Sequence, residues 1–213
     1  MSIFGLTKTA FATRDYYKAM NAALKTINGD YHMLHYPFYM DEKDSFSQAQ
    51  DNLLEYCLQK FSTLEGKDVL DIGCGNGIGT LYVAQNHPVK SVTGVDINAH
   101  NVEIANGEKE KRNIKHALFI EGNAQNLAKI QSNSIDIVIN IESAFHYPQK
   151  GLFIDEIGRV LKPGGQFLIA DILTTANENV LLKQWKKRMN FYHWYLPQYQ
   201  DAFKRKHSAS HVL

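Results

Sequence analysis

The amino-acid sequence predicts an α/β protein with a doubly wound, mostly parallel β-sheet. Three observations predict this fold class. Short apolar runs typical of buried strands alternate with helix-like segments across residues 64–173. The first run ends in an acid and a glycine-rich turn, residues 71–77. The second ends in another acid, Asp96, about twenty residues beyond that turn, which is the spacing of a nucleotide-binding βαβ unit.

Length, charge and cysteine content predict one cytoplasmic domain with appended segments. A chain of 213 residues can bury one substantial core. The formal net charge of +1 argues against a general nucleic-acid binder. Cys57 and Cys74 are too few for a disulfide framework, which predicts reduced thiols and a cytoplasmic location. Residues 1–8 lack the apolar core of a signal peptide, and no run approaches the length of a membrane span.

Residues 1–63 predict a helical N-terminal cap. Residues 14–27 are expected to be helical, and residues 47–61 more clearly so, with Ser45 or Ser47 as N-cap. The apolar residues of the second helix recur at spacings of three and four: Leu53, Leu54, Cys57, Leu58 and Phe61. Between the two helices lies an aromatic segment, residues 31–40, which Pro37 prevents from continuing as a helix.

The glycine-rich turn predicts a site for a nucleotide-like ligand. Gly73, Gly75 and Gly77 allow a sharp turn and a close approach of the backbone to the ligand. The following helix, residues 78–86, would direct free N–H groups at it. A dinucleotide fingerprint needs a third glycine where Ile78 stands, so the spacing argues against a nicotinamide cofactor. The alternative is a purely structural strand-to-helix junction.

Further strands and turns follow in order. Residues 91–97 form the second strand, and Asp96 is expected to accept the ribose hydroxyls of a cofactor, to cap the helix starting near Asn98, or both. Residues 117–122 form the third strand and residues 134–140 the fourth. The run Leu161-Lys162-Pro163-Gly164-Gly165 predicts a helix end and a turn into a fifth strand.

The glycine turn and the Leu-Lys-Pro-Gly-Gly run, in this order, resemble class I S-adenosylmethionine-dependent methyltransferases. The resemblance covers residues 64–173 and implies a Rossmann-like fold that binds S-adenosyl-L-methionine. It places the adenine contact after the third strand, at a short polar side chain and a backbone amide. The cofactor-binding residues that it implies in the core are Asp71, Gly73, Cys74, Gly75, Gly77, Asp96, Ile97, Asn123 and Ala124.

The aromatic segment resembles a cofactor-covering segment of methyltransferases that act on sterols, tocopherols and polyketide-like lipids. The resemblance implies that Tyr31 and Tyr36 cover the cofactor, where an aromatic face stabilises a sulfonium. Two positions depart from that pattern, because His35 replaces the usual Asn and Pro37 the usual Gly. The alternative is that these aromatic side chains pack the cap onto the core, and both roles are compatible.

The loop after the fourth strand is the predicted catalytic segment. Loops at the carboxyl ends of strands form the site in doubly wound sheets, and the Glu142-Ser143-x-x-His146 pattern resembles the same lipid methyltransferases. His146 is the candidate general base, since its ordinary pKa lies near neutral pH. Glu142 would orient the substrate, contact the cofactor or set the imidazole tautomer. In the alternative, His146 and Tyr147 only stabilise the loop by hydrogen bonds.

The C-terminal part of the sequence predicts a lid, and it ends before the last strands that the related fold would require. Residues 174–213 form a third region, in which residues 183–206 mix basic and aromatic side chains. A lid over the substrate is favoured over a membrane contact, a plain surface helix or a nucleic-acid surface. The related fold has seven strands, yet the chain ends at Leu213. Either the chain is shortened or the sheet closes in another way, such as with a partner chain, which puts catalytic competence in doubt.

Together these features predict a methyltransferase acting on a small, hydrophobic molecule, with O-methylation favoured over C- or N-methylation. A catalytically impaired S-adenosylmethionine-binding module is the first alternative and a nicotinamide-dependent oxidoreductase the second. No metal site, no nucleic-acid partner and no membrane span are expected. A homo-oligomer is left open.

Overall fold

The computed structural model describes residues 8–171 as an α/β fold with one five-stranded sheet. A short 3₁₀ turn, Ala144–His146, precedes the last helix. The elements, in chain order, are α1 (Lys8–Asn28), α2 (Phe46–Leu58), β1 (Asp68–Ile72), α3 (Ile78–Asn86), β2 (Ser91–Asp96), α4 (Ala99–Lys111), β3 (Ala117–Glu121), β4 (Ile135–Ile141), α5 (Lys150–Val160) and β5 (Leu161–Ala170).

The sheet has the strand order β3-β2-β1-β4-β5, and every neighbouring pair is parallel. The chain moves outward from β1 in one direction through β2 and β3, and then returns to the other side of β1 with β4. The order therefore reverses between β1 and β4. In a doubly wound sheet the carboxyl ends of the strands beside such a reversal form the ligand crevice. The predicted fold class is confirmed.

Two apolar cores cover the two faces of this sheet. Because successive strand residues point to opposite faces, Val138 of β4 packs into one core, while Ile137 and Ile139 pack into the other. The first core also contains the buried face of α5, including Phe153. The second core joins β1, β2 and β4 to α2, α3 and α4. Helix α2 thus packs onto the Rossmann-like core and is part of its interior.

Helix boundaries follow the local sequence signals closely. The side chain of Ser45 accepts a hydrogen bond from the Gln48 N–H and caps α2, so Ser45 and not Ser47 is its N-cap. Asn98 caps α4 in the same way through the N–H of His100. Helix α1 begins at Lys8, several residues earlier than the predicted start at residue 14.

The Leu-Lys-Pro-Gly-Gly run differs from its prediction. Helix α5 ends at Val160, three residues before Pro163, and β5 follows directly. Leu161 pairs with Ile135 and Gln166 pairs with Ile137, so the intervening four residues bulge out of the ladder. Gly164 has φ +79°, a backbone conformation that favours glycine. The proline therefore belongs to a strand irregularity and does not terminate the helix.

The C-terminal predictions lie outside the described residues. This applies to the lid of residues 174–213 and to the manner in which the sheet is completed. Within residues 8–171, no helix combines the length and apolar character needed to cross a membrane. The cytoplasmic location remains a prediction.

Candidate active site

A cavity of about 420 Å³ opens at the carboxyl ends of β1, β2 and β4, where the strand order reverses. Its volume lies in the range of small-molecule sites, roughly 300–1,000 Å³. The N-terminal region, the glycine turn and the loop after β4 all contribute to its wall. Among the lining residues are Tyr17, Leu34, His35, Asp71, Gly73, Cys74, Gly75, Asn76, Asp96, Ile97, Asn101, Asn123, Ala124, Glu142, Ser143, His146 and Tyr147.

The three glycines of the turn all have positive φ values: +76° for Gly73, +56° for Gly75 and +79° for Gly77. A Cβ atom on Gly73 would collide with the Ser143 side chain. On Gly77 a Cβ would lie 2.8 Å from the ring of Phe119. Gly77 is not among the described residues that line the cavity. The absence of a side chain at Gly77 instead allows the start of α3 to pack closely against Phe119.

Gly75 faces the cavity, but a side chain there would meet protein atoms first. A Cβ atom would lie 2.9 Å from Cδ1 of Leu34. The N–H of Gly75 donates a 2.9 Å hydrogen bond to Oδ2 of Asp96. The turn is therefore held by the same carboxylate that was predicted to bind the ribose.

Asp96 lies at the end of β2 and lines the cavity. Its Oδ1 accepts hydrogen bonds from the N–H of Asn98 at 2.8 Å and from Nδ2 of Asn101 at 3.2 Å. Together with the Gly75 N–H these are three donors, while a carboxylate has about four acceptor positions. Burial raises the pKa of Asp96 to about 6, against the lowering effect of these hydrogen bonds. Asp96 orients the start of α4 through Asn98 but does not itself cap that helix.

Asp71 is a second acid at the cavity. It is buried on β1, and its Oδ2 accepts a 2.6 Å hydrogen bond from the Thr80 hydroxyl. Burial, with a smaller contribution from the nearby charge of Asp96, raises its pKa to about 6 against the lowering effect of the Thr80 hydrogen bond. Burial also raises the pKa of the Cys74 thiol well above its usual range, which is the property of an inert side chain. Asp71 and Cys74 thus lie at the predicted site.

The predicted adenine-binding residues also lie at the cavity. Asn123 follows β3, lines the cavity and is exposed, and its Oδ1 accepts a 2.9 Å hydrogen bond from the N–H of Gln125. Ala124 is buried beside it. Ile97 is 44% exposed and also lines the cavity, so it offers an apolar surface to a flat ring. Ala124 also lines the cavity, and the adenine contact that the resemblance implies here remains a prediction.

The aromatic segment covers the cavity with different residues from those predicted. Met33, Leu34 and His35 line it, whereas Tyr31 and Tyr36 are not among the described lining residues. The ring of Tyr31 lies under the Lys25 ammonium, 4.2 Å from its centroid. Tyr36 is 52% exposed, and its N–H donates to the Glu142 carboxylate. A cofactor contact through these two tyrosines remains a prediction.

His146 lies on the 3₁₀ turn after β4 and lines the cavity. Its Nε2 is 3.0 Å from the Tyr17 hydroxyl of α1, and the ring of Phe145 contacts the imidazole with a centroid separation of 3.8 Å and a tilt of 38°. Burial lowers the pKa of His146, and the positive charge of Lys150 lowers it further. Burial raises the pKa of Tyr17 to about 12. At neutral pH the pair therefore consists of a neutral imidazole and a neutral phenol.

Glu142 and the residues after it shape the loop. Glu142 adopts φ +48°, a left-handed backbone conformation that costs energy for residues other than glycine. Ser143 and Tyr147 form a cluster with Asn140, whose Nδ2 also donates to the carbonyl of Ile72 at 2.6 Å. The loop is thereby tied to the end of β1. Hydrogen bonding by Tyr147 agrees with the loop-stabilising alternative for that residue.

Several site residues were missed by sequence reasoning. Tyr17, Asn76 and Asn101 all line the cavity. Asn76 lies inside the glycine turn and Asn101 lies five residues beyond Asp96. Their positions close to predicted ligand contacts in the sequence were a usable signal. Tyr17 had no such signal, since only the tertiary structure brings it to His146, 129 residues away in the chain.

Residues 64–210 match the sequence model of a protein family described as "Methyltransferase domain". The chain belongs to this methyltransferase family. The predicted resemblance is thus confirmed.

Two relatives are similar to part of the chain. A fatty-acid O-methyltransferase of Mycolicibacterium smegmatis is 33% identical over 145 residues, which are 65% of this chain and 50% of the relative. A phthiotriol/phenolphthiotriol dimycocerosates methyltransferase of Mycobacterium tuberculosis is 36% identical over 133 residues, 62% of this chain and 47% of the relative. The chain spans about half the length of these relatives.

Solved structures support the fold. The [4+2]-cyclase SpnF has a TM-score of 0.74 with 23% identity, over 83% of this chain and 70% of that chain. Geranyl diphosphate C-methyltransferase from Streptomyces coelicolor has a TM-score of 0.62 with 18% identity, over 76% and 65%. At these identities the likeness concerns the fold of this methyltransferase-family protein and not its substrate.

The cavity of this family member fits S-adenosylmethionine in the chemistry of its wall. Asp96 still has acceptor capacity for a ribose hydroxyl, and Ile97 with the Asn123 side chain offers an apolar surface and a polar edge for adenine. The positive φ values of the glycine turn allow the backbone to lie close to the ligand.

Proposed function

We propose that the protein is an S-adenosylmethionine-dependent methyltransferase that O-methylates a hydrophobic, lipid-related small molecule. The observation that supports it most is one cavity, in a chain of the methyltransferase family, lined by Asp96 at one strand end and by His146 after another. The carboxylate that would bind the cofactor and the candidate base thus line the same cavity. The names of the curated relatives support a lipid-related acceptor.

S-adenosylmethionine, when bound, supplies a methyl group on a positively charged sulfur. In the proposed reaction the acceptor oxygen forms a bond to the methyl carbon while the carbon–sulfur bond breaks, which leaves S-adenosylhomocysteine. Asp96 holds the ribose, and Met33 with Leu34 excludes water from that end of the cavity. Ile139 and Ile141 of β4, which line the same cavity, would offer an apolar surface for the acceptor.

His146 has a role that depends on the acceptor. A hydroxyl group must lose its proton as it is methylated, and the neutral imidazole of His146, which lines the cavity, would accept it. Tyr17 occupies the vicinity of Nε2, so its hydroxyl would either give way to the acceptor or pass the proton on. A fatty-acid carboxylate is already ionised at neutral pH, and for such an acceptor His146 would only position the substrate.

Two measurements test this function. Calorimetric titration with S-adenosylhomocysteine, S-adenosylmethionine and NAD should show binding of the first two and none of NAD. Incubation with isotope-labelled S-adenosylmethionine and either long-chain fatty acids or lipid alcohols should give a labelled methyl ester or ether, identified by mass spectrometry. Absence of binding to S-adenosylhomocysteine would overturn the cofactor assignment. Binding without methylation of any lipid extract would support the impaired binding module.

A further inference from the structure

Three buried asparagines connect helix α1 to the carboxylate of Asp96. Asn21, Asn76 and Asn101 are each no more than 2% exposed. They come from α1, from the glycine turn and from α4. No chemical step of the proposed reaction uses Asn21, yet its side chain lies between two residues that line the cavity.

The hydrogen bonds of this group form one continuous chain. Nδ2 of Asn76 donates to Oδ1 of Asn21 at 2.8 Å. Nδ2 of Asn21 donates to Oδ1 of Asn101 at 2.9 Å, and Nδ2 of Asn101 donates to Oδ1 of Asp96 at 3.2 Å. The Gly75 N–H closes a ring from the glycine turn back to the same carboxylate.

The Asp96 carboxylate fixes which atom of each asparagine amide donates a hydrogen bond and which atom accepts one. An ionised Asp96 only accepts hydrogen bonds, so the amide of Asn101 must present its nitrogen to it. The oxygen of Asn101 then faces Asn21 and must receive a donor, which fixes the amide of Asn21 and in turn that of Asn76. Every donor points toward Asp96, and hydrogen bonds aligned in this way polarise one another in a buried setting.

Asn76 extends the connection to the aromatic segment. Its Nδ2 also donates to the carbonyl of His32 at 2.7 Å. The side chain of Asn21 therefore joins three parts of the cavity wall: the N-terminal helix, the glycine turn with the aromatic segment behind it, and the start of α4. A leucine or valine at position 21 would remove the donor to Oδ1 of Asn101 and one of the two acceptors of the Asn76 amide, both in a buried setting.

We infer that Asn21 is a positioning residue for the cofactor: through Asn101 it orients the Asp96 carboxylate, and it makes helix α1 part of the cofactor site. The ligand class is a nucleoside with free ribose hydroxyls. The inference rests on the proposed function, because that function places a ribose at Asp96. Binding of such a ligand and the local stability of α1 are then coupled, since both depend on the same hydrogen-bonded series of amides.

The test uses Asn21→Leu, which keeps a similar volume and removes both hydrogen bonds, and Asn21→Asp, which still accepts from Asn76 but cannot donate to Asn101. Calorimetry with S-adenosylhomocysteine should show affinity roughly 10- to 100-fold below wild type for each. Asn28→Leu is the matched control, because Asn28 lies at the exposed end of the same helix and its side chain donates to the Leu24 carbonyl at 2.9 Å. Its affinity should equal that of wild type.

A double-mutant cycle with Asn101→Ala separates positioning from general loosening. If Asn21 acts through Asn101, the affinity losses of Asn21→Leu and Asn101→Ala are not additive, and the double variant binds little worse than the single ones. Hydrogen exchange at backbone amides of α1 should slow when S-adenosylhomocysteine binds to the wild type, and much less in Asn21→Leu. Circular dichroism spectra confirm that each variant is folded.

The outcomes are distinct. If wild type binds and a folded Asn21→Leu or Asn21→Asp binds equally well, the inference is overturned. Additive losses in the cycle overturn it as well, because Asn21 would then act independently of Asn101. If Asn21→Leu does not fold, the Asn21→Asp variant decides. Absence of binding by the wild type itself overturns the proposed function, and the positioning role falls with it.

Discussion

Burial disfavours the ionised form of two acids near the carboxyl ends of β1 and β2. Asp71 and Asp96 both have pKa values raised to about 6, and burial is the main cause in each case. Each accepts hydrogen bonds that work in the opposite direction. A polar ligand that donates to Asp96 would add to that stabilisation, so the site has a built-in preference for a ligand with hydroxyl donors.

Asp96→Ala should weaken binding of S-adenosylhomocysteine by about 1.5–3 kcal/mol, because a charged hydrogen-bond acceptor is lost. In wild type the affinity should also fall as the pH drops below about 6, since protonation of Asp96 removes acceptor capacity. Calorimetry between pH 7.5 and 5 measures both effects. A folded Asp96→Ala protein with wild-type affinity would exclude the ribose assignment.

His146→Ala should lower turnover of a hydroxyl acceptor by about a hundredfold with little change in cofactor affinity. Burial and the charge of Lys150 lower the pKa of His146, so the rate should rise with pH through a value below 6.5 and level off at neutral pH. Rapid assays of methyl transfer across pH 5–8 measure this. A flat profile together with a near-normal variant would reassign His146 to loop structure.

Tyr17→Phe should lower turnover of the same acceptor while leaving cofactor affinity unchanged, because the phenol lies 3.0 Å from Nε2 of His146. Tyr16→Phe is the matched control, since Tyr16 is 61% exposed and loses the same hydroxyl. Steady-state kinetics of the two variants are compared. Equal rates for both would show that the Tyr17 hydroxyl takes no part in the reaction.

At the scale of elements, the aromatic segment depends on α2 for its position. Nε2 of Gln50, which is 2% exposed, donates to the carbonyls of Met33 at 2.6 Å and His35 at 2.9 Å. The N–H of Phe38 donates to the carbonyl of Ala49 at 2.7 Å. A segment without regular structure is thus fixed by the helix that follows it, which explains how it can form a wall of the cavity.

Gln50→Ala should destabilise the protein by about 2 kcal/mol and weaken cofactor binding, because two backbone carbonyls lose their buried donor. Gln48→Ala, an exposed change on the same helix, should affect neither property. Urea unfolding and calorimetry measure the two. Wild-type cofactor affinity in a destabilised Gln50→Ala protein would show that the segment contributes only to packing.

Hydrogen exchange tests the covering role directly. Residues 31–39 should become protected when the cofactor alone binds, because Met33, Leu34 and His35 line the cavity. Residues 185–203, which lie outside the described residues, should respond mainly to the methyl acceptor. Unchanged exchange in both segments at saturating ligand would place the substrate site elsewhere.

At the scale of the whole molecule, the two ends of the sheet respond oppositely to acid. At the amino end, burial raises the pKa of Asp68, but hydrogen bonds from Lys90, Ser91 and Lys162 outweigh it and lower that pKa to about 2. Stability from Asp68 is therefore present above about pH 4 and lost as the pH falls toward 2. At the carboxyl end, the raised pKa values of Asp71 and Asp96 reduce stability above pH 6, and stability returns as the pH falls from 7 toward 4.

The ligand-free protein should accordingly gain about 1 kcal/mol in unfolding free energy from each of these two acids between pH 7 and pH 5. In Asp71→Asn the gain in unfolding free energy from this position should be absent, because the amide does not titrate. Urea unfolding of both proteins at the two pH values measures the difference. An equal change in wild type and variant would show that Asp71 has an ordinary pKa.

Much of the site was predictable because its signals are local. The acid at the end of β2, the glycines with positive φ and the loop after β4 follow from strand length, turn chemistry and spacing. Asp96, Gly75 and Asn123, which line the cavity, are therefore predictable from short stretches of sequence. The role of the glycines was predicted less well, because the atoms that exclude a Cβ belong to Ser143, Leu34 and Phe119, which come from distant parts of the chain.

The sequence by itself determined the family and the parallel, doubly wound sheet, and it predicted which strand ends line the cavity, since a βαβ unit records these features within a short stretch of chain. Only the tertiary structure decided which N-terminal residues meet the site. It placed Tyr17 beside His146 and Asn21 beside Asn101, and it assigned the covering of the cavity to Leu34 and its neighbours. These contacts link α1 and the segment after it to a core far along the chain. No periodicity or turn signal specifies such long-range contacts, because they depend on how helices pack across the end of a sheet.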